Sequence, residues 1–210
     1  MQARFPLDEH FTRVLQSALG ENLPGREAQF AMAPSARPPE PPHEMTPAGV
    51  IIALYPDDGE WHFPLIHRTD NGDPHGGQIS LPGGKLEPGE TVETGAIREA
   101  HEEVGICPEW LSVLGTLTPL PIPVSGYTAT PVVAVCDRSP EFRRQPSEVQ
   151  AVLVTSLREL ADPANVHEDT RFFQGRESTA PYFILGGRKV WGATAMMLAE
   201  FRQILQSLTI

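Results

Sequence analysis

The chain has 210 residues, 40% of them hydrophobic and 20% charged, with 16 Lys and Arg against 27 Asp and Glu. A formal charge of −11 argues against non-specific nucleic-acid binding and against an anionic membrane surface, because both need a basic field. The composition is that of a globular chain long enough to bury a core without disulfides, and no apolar run approaches the roughly 20 residues that span a bilayer.

Met1 to Gln16 carries Asp8 and Glu9 and lacks an apolar h-region, which is not the pattern of a secretory signal. Residues 7–19 predict an amphipathic helix, with Phe11, Val14, Leu15 and Leu19 on one face. The pattern then fails. Residues 1–31 are therefore read as an N-terminal helix and extension. Residues 32–47 hold Pro34, Pro38, Pro39, Pro41, Pro42 and Pro47. Proline lacks a donor and resists helix and sheet alike, so this stretch is expected to be a linker. The alternative is a segment crossing to a second copy of the chain in a homodimer.

The main domain is expected over 48–210. Gly49–Tyr55 and Trp61–His67, joined by the turn cluster Pro56-Asp57-Asp58-Gly59, predict a hairpin. Thr69–Gly77 reads as a loop, and Ile79–Leu81 as a short extended piece that bends at Pro82-Gly83-Gly84. Residues 91–104 predict a helix with Ile97, Ala100 and Val104 on its apolar stripe and Gly105 at its C-terminal cap. Val113–Leu120, Thr130–Cys136 and Val149–Val154 read as strands, and Leu157–Ala161 as a short helix. Arg171–Phe173, Tyr182–Leu185 and Val190–Trp191 are short β pieces. Ala193–Leu208 is a final amphipathic helix. Strands interleaved with two strong helices predict an α/β (α+β) fold, a mixed sheet covered on both faces. Cys107 and Cys136 form no CxxC pair, and the seven histidines form no HExxH or Cys/His cluster, so a zinc site is not indicated. Two buried thiols in a reducing cytoplasm are expected.

One segment stands apart, running from Gly84 through Glu90 and Arg98-Glu99-Ala100-His101-Glu102-Glu103 to Gly105-Ile106. On a helix, Glu99, Glu102 and Glu103 project within roughly 100° of one another. Gly95 lies on that face one turn earlier, where it is expected to leave room for an approach to the backbone. Like charges at this spacing repel by a few tenths of a kcal/mol per pair. A hard dication would neutralise them, and Mg²⁺ commonly bridges carboxylates to phosphates. On its own, Glu-x-x-Glu-Glu would read as a solvated acidic face.

The flanking residues change that reading. The segment is similar to the Nudix box, G-x5-E-x7-R-E-U-x-E-E-x-G-U with U apolar, and fills it without a gap. Ala100 is small for its apolar position. The resemblance implies an α/β/α sandwich and hydrolysis of a diphosphate linked to a nucleoside, a small-molecule nucleotide substrate, with Mg²⁺ or Mn²⁺ as cofactor. Carried onto this sequence, it implies Glu99, Glu102 and Glu103 as metal ligands. Glu102 and Glu148 are the candidate general bases; Glu148 lies on the loop before the Val149 strand. Arg98 is expected to pair with Glu90 and orient the ligands, while Arg68 and Lys85 are the nearest cations for substrate phosphate. His101 points away from the acidic face. His75 is expected either to brace its loop or to touch ligand.

Upstream, His75-Gly76-Gly77-Gln78-Ile79-Ser80-Leu81-Pro82-Gly83-Gly84 resembles the signature of the coenzyme A pyrophosphatase subgroup. So do Ser125–Val133 and Val190-Trp191-Gly192-Ala193-Thr194-Ala195. Two positions depart from it: Asp73 stands where the subgroup usually has Arg, and Thr69 where it has Ser. An Arg exchanged for Asp removes a fork donor suited to phosphate. The substrate reading is therefore coenzyme A or its derivatives, cut to 3′,5′-ADP and (acyl-)phosphopantetheine. The alternatives are ADP-ribose or another dinucleotide, or a catalytically silent ligand-sensing domain, against which the intact glutamate set argues. Gly83-Gly84-Lys85 does not fit a P-loop, and Val124-Ser125-Gly126 does not fit a serine nucleophile elbow.

Overall fold

The computed structural model of the chain describes residues 5–35, 44–70, 72, 75–173 and 176–208. Helix α1 (Glu9–Gly20) begins where the Asp8 carboxylate accepts the Phe11 N–H at 2.8 Å, satisfying one of the orphan donors of a first turn. It buries Phe11, Leu15 and Leu19 as the periodicity predicts. A six-residue helix α2 (Gly25–Phe30) follows, too short to leave a periodic signal. Strands β1 (Thr46–Asp57) and β2 (Glu60–Arg68) form the expected hairpin. β1 starts two residues ahead of Ala48.

β3 (Ile79–Ser80) and β4 (Gly83–Lys85) come next. The chain bends at Pro82 as expected, but Gly83 and Gly84 continue as strand, pairing antiparallel with Val50 and Gly49 of β1. Helix α3 (Val92–Val104) is capped at both ends. Thr91 Oγ1 accepts the Thr94 N–H at 3.2 Å and Thr94 Oγ1 accepts the Thr91 N–H at 2.9 Å, a reciprocal capping box. Gly105, at φ 75°, closes its other end in the left-handed conformation.

The stretch 113–120, read as one strand, is two: β5 (Leu111–Thr116) and β6 (Leu120–Ile122). Both pair with β7 (Tyr127–Cys136), but at opposite ends of it. β8 (Val149–Ser156) and α4 (Leu157–Ala161) follow the sequence reading. β9 (Val166–Phe173), β10 (Arg176–Leu185) and β11 (Arg188–Trp191) form a separate three-stranded antiparallel sheet. Its strands are longer than the apolar pieces suggested, because Glu168, Asp169 and Thr170 carry polar residues into the ladder. Helix α5 (Gly192–Ser207) ends the described fold.

The main sheet has eight strands in the order β3-β2-β1-β7-β5, with β4 also on β1, β6 on β7 and β8 on β2. β1 and β7 are parallel and every other pair is antiparallel. The sheet is therefore mixed. β1 is buried on both faces, as a strand with neighbours on each edge and a layer above and below must be. Ile51, Ala53 and Tyr55 pack with Ala96, Ala100 and Val104 of α3. Ile52 and Leu54 share a second cluster with Phe11 and Leu15 of α1 and Leu198, Phe201 and Leu205 of α5. This is the α/β/α layering expected from the alternation of strands and helices.

The N-terminal helices are held by polar contacts as well. Glu200 of α5 is wholly buried. Its carboxylate accepts from Gln29 Nε2 at 2.8 Å, from the Gly25 N–H at 3.1 Å and from Thr118 Oγ1 at 2.6 Å. A buried charge is tolerated only with such partners, and two of them come from α2. Residues 36–43, in the proline-rich stretch, lie outside the described residues. Cys107 and Cys136 are both free thiols. No described helix is long and apolar enough to cross a membrane.

Phe11 is wholly buried and stacks on Trp61 at 5.8 Å. Phe11→Ala is expected to cost about 3–5 kcal/mol in urea unfolding. A loss under 1 kcal/mol would mean that α1 is not part of the cooperative core.

Candidate active site

Arg98 is the hub of the box. Its Nε donates to Glu90 Oε1 at 2.8 Å and its Nη2 to Glu90 Oε2 at 3.1 Å. Nη1 donates to Glu99 Oε1 at 2.9 Å and to Glu102 Oε2 at 3.0 Å. Nη2 also reaches the Lys85 carbonyl at 3.1 Å. The expected Arg98–Glu90 pair is present and bidentate, the strong geometry for a guanidinium and a carboxylate. It holds the Glu90 carboxyl below its ordinary range and the guanidinium above its own. One planar cation thus fixes the loop, β4 and two of the three box glutamates.

Glu103 is 1% exposed and lies beneath β4, where its Oε2 accepts the Gly83 N–H at 2.8 Å. Arg68 Nη1 stands 3.5 Å from its other oxygen. Burial pushes the Glu103 carboxyl up to about 8, with Glu99 and Glu148 adding repulsion against the pull of Gly83 and Arg68. Burial also raises Glu99, and Arg98 only partly offsets it. Gly84 makes this proximity possible: a Cβ there would sit 2.4 Å from Glu99 Oε1. Gly95 has a different role from the one expected. A Cβ there would meet Leu86 Cδ2 at 2.5 Å, so loop packing fills the space and leaves no opening for a ligand.

Arg68 and Glu148 come from a different part of the sheet. Arg68 ends β2, whose last pair is with Val149 at the start of β8, across a bulge between His67 and Arg68. Glu148 precedes Val149, and its carbonyl accepts the Thr69 N–H at 2.8 Å. Strand pairing therefore delivers both side chains to the edge of α3. They open onto a cavity of about 540 Å³ that Glu99, Glu103 and Lys85 also line. Glu102 does not line it. Its side chain is 55% exposed and turned to Arg98. His101 points to the Ile106 carbonyl at 3.2 Å, away from the acidic face as expected. His75 lines the cavity. Asp73 lies outside the described residues.

The rest of the cavity lining is largely apolar, and two of its residues, Tyr127 and Trp191, fall in stretches that resemble the coenzyme A subgroup. Val50, Ile122, Val124, Tyr127, Trp191 and Met197 form its wall. Val124 is 70% and Trp191 37% exposed, unusual for large apolar side chains. That exposure was the signal available, but it is visible only once β6, β7, β11 and α5 are assembled.

No three His, Cys, Asp or Glu side chains among the described residues stand together as a ready-made metal cage. The donor set still suits a hard dication. Mg²⁺ uses one or two carboxylates and takes the rest of its shell from water and phosphate. Glu99 and Glu103 offer oxygen donors at the cavity wall, and burial leaves their charge under-compensated.

Comparison with known proteins agrees with this geometry. The NUDIX domain model matches residues 45–175. The chain is 29% identical over 143 residues to the uncharacterized Nudix hydrolase NudL of Photorhabdus laumondii, covering 68% of this chain and 76% of that one. It is 33% identical over 137 residues to NudL of Escherichia coli O6:H1, covering 65% and 71%. With Nudix hydrolase 15, mitochondrial, of Arabidopsis thaliana it shares 30% over 178 residues, 81% of this chain and 62% of that one. The crystal structure of the M. smegmatis Nudix hydrolase RenU superposes with a TM-score of 0.53 at 20% identity, over 80% of this chain and 89% of that one. That likeness is one of fold. The chain belongs to the Nudix family and is a pyrophosphohydrolase acting on a nucleoside diphosphate derivative. Nudix hydrolases generally depend on a divalent metal.

Gly84→Ala is expected to keep the far-ultraviolet circular dichroism spectrum and lower kcat by about two orders of magnitude, since Glu99 must swing away from its methyl group. Retention of wild-type kcat would show that the Glu99 position is not critical.

Proposed function

We propose that the chain hydrolyses the diphosphate of coenzyme A or its derivatives, releasing 3′,5′-ADP and (acyl-)phosphopantetheine, with Mg²⁺ or Mn²⁺. One observation carries this reading. The three stretches that resemble the coenzyme A subgroup lie far apart in sequence yet converge on one cavity: His75, Gln78 and Ser80 from the first, Ser125, Tyr127 and Ala129 from the second, and Trp191 to Thr194 from the third. Its polar end suits a diphosphate. Its apolar wall suits the nucleoside and the pantetheine arm.

In the reaction water attacks one phosphorus, the P–O–P bridge breaks, and two phosphate monoesters leave. A dication held there would polarise the phosphoryl oxygen and lower the pKa of coordinated water. Glu99 and Glu103 are the residues assigned to hold it. Glu148, at the cavity edge, is assigned to take the water proton. Glu102 is the weaker candidate for that role, because it faces Arg98 and solvent. Arg68 and Lys85 line the polar end, where cations suit substrate oxygens. Tyr127 and Trp191 offer flat faces on which any nucleoside base can stack, which keeps ADP-ribose and dinucleotides as the second reading.

A panel of coenzyme A, acetyl-coenzyme A, ADP-ribose and diadenosine substrates, each with Mg²⁺ and Mn²⁺, tests the assignment. The expected products are 3′,5′-ADP and phosphopantetheine, lost on chelation with EDTA. Cleavage of ADP-ribose or a dinucleotide, with coenzyme A untouched under both metals, would overturn the substrate. Glu99→Gln and Glu103→Gln are each expected to lower kcat by about two orders of magnitude or more. The metal-free melting temperature of Glu103→Gln at neutral pH is expected to stay level or rise, because the cost of burying a carboxyl that ionises freely in the unfolded chain disappears. Wild-type turnover of either variant at saturating Mg²⁺ would remove that residue from the metal site.

A further inference from the structure

Two elements far apart in sequence build much of the apolar part of the cavity. Ala193 and Met197 come from α5, and Ile122, Val124 and Ser125 from β6 and the turn that leads into β7. A helix and a hairpin share no strand ladder, so side chains have to set the gap between them. α5 packs against β6.

Glu200 stands behind this contact, one helical turn beyond Met197 and wholly buried. It does not itself line the cavity. Its Oε1 accepts the Thr118 hydroxyl at 2.6 Å, and the Thr118 N–H lies 3.3 Å from each of its oxygens. Thr118 comes just ahead of β6. Gln29 Nε2 of α2 donates to the same carboxylate at 2.8 Å and to the Thr118 carbonyl at 2.7 Å. The middle of α5, the approach to β6 and helix α2 are thus bonded at one point.

Each of these donors is neutral, and a buried carboxylate is costly unless its hydrogen bonds are all in place. An apolar side chain would fill the space but leave α5 free to slide against β6, because apolar attraction has no direction. Hydrogen bonds have direction, so a small displacement of α5 lengthens several of them together. None of the bonds involves α3 or β4, which carry the metal end.

We propose that Glu200 is a positioning residue for substrate binding. Through Thr118 it fixes the spacing between α5 and the β6–β7 hairpin, and so sets the affinity of the cavity, while the hydrolytic step is left to the α3 end. The inference rests on this cavity being the substrate site of the proposed reaction, not on coenzyme A being the substrate.

Steady-state kinetics of Thr118→Val, Thr118→Ser and Glu200→Gln test it. The substrate is coenzyme A or, where coenzyme A is left intact, the diphosphate of the panel that the wild-type protein cleaves. Thr118→Val keeps the side-chain volume and removes the hydroxyl donor. Its KM is expected to rise by about tenfold, the equivalent of one well-placed hydrogen bond. Its kcat is expected to stay within about twofold of wild type, the pattern of lost uniform binding. The Mg²⁺ concentration that gives half-maximal rate is expected to be unchanged, because Glu99 and Glu103 are not touched. Thr118→Ser keeps the hydroxyl and is expected to bring KM back near the wild-type value, even where loss of the methyl group lowers the melting temperature. Glu200→Gln sets an amide among donors and is expected to raise KM at least as far as Thr118→Val. A purely structural Glu200 would lower melting temperatures and leave KM in place. That result in folded Thr118→Val overturns the proposal, as does a KM in Thr118→Ser as high as in Thr118→Val, or a parallel fall of kcat and Mg²⁺ affinity. Coenzyme A left intact, with the KM rise seen on another diphosphate, would overturn the substrate reading and leave the role of Glu200 standing.

Discussion

The catalytic end of this protein depends on holding two desolvated carboxylates of one helix against the strand that precedes it. Glu99 and Glu103 are neighbours on α3, and burial disfavours the charge on each. Left in water they would repel weakly and point apart. Here Gly83 donates to one, Arg98 to the other, and Gly84 removes the methyl group that would separate strand from helix. The two carboxyls thus disfavour each other's charge, a repulsion that a divalent cation held between them would relieve. This explains why so much of the local hydrogen bonding converges on a single guanidinium. Arg98 spans Glu90, Glu99, Glu102 and the Lys85 carbonyl, so loop, strand and helix cannot move independently.

Much of this was legible before any coordinates, because it is local. Thr91 to Gly105 fits a helix by periodicity, capping and a terminal glycine. The Arg98–Glu90 contact follows from a spacing that a turn and a helix start make short. The β1–β2 hairpin is written in its turn residues. What escaped the sequence was non-local or weakly patterned. The bend at Pro82 is present, but the strand β4 that follows it is not signalled by its glycines, which here mark a strand lying close to a helix. Gly95 was misassigned for the same reason: lack of a side chain says that something is near, not what. The β9–β10 ladder carries too many polar residues for an alternation signal. Glu102 illustrates the limit of helical-wheel reasoning. It lies on the correct arc, yet Arg98 one turn earlier draws it outside the cavity.

The N-terminal residues show how a segment with little pattern can still serve the site. α1 and α2 pack on the face of the main sheet opposite α3, against α5. The buried Glu200 carboxylate ties α2 and Thr118 to the middle of α5. α5 in turn presents its first residues to the cavity. The same helix is thus tied down near its middle by Glu200 and lines the cavity with its first residues.

A chain with a formal charge of −11 that acts on a polyanion must overcome its own field. Long-range attraction is absent, so affinity has to come from short-range contacts inside a partly dry cavity, where each polar interaction is stronger than in water. The cavity divides that task by chemistry. Glu99 and Glu103 line the cavity beside α3, and a dication held by them would reverse the local sign for an incoming phosphate. Val50, Ile122, Tyr127 and Met197 add apolar surface to the same cavity, and contact with such surface is not weakened by the chain's net negative charge.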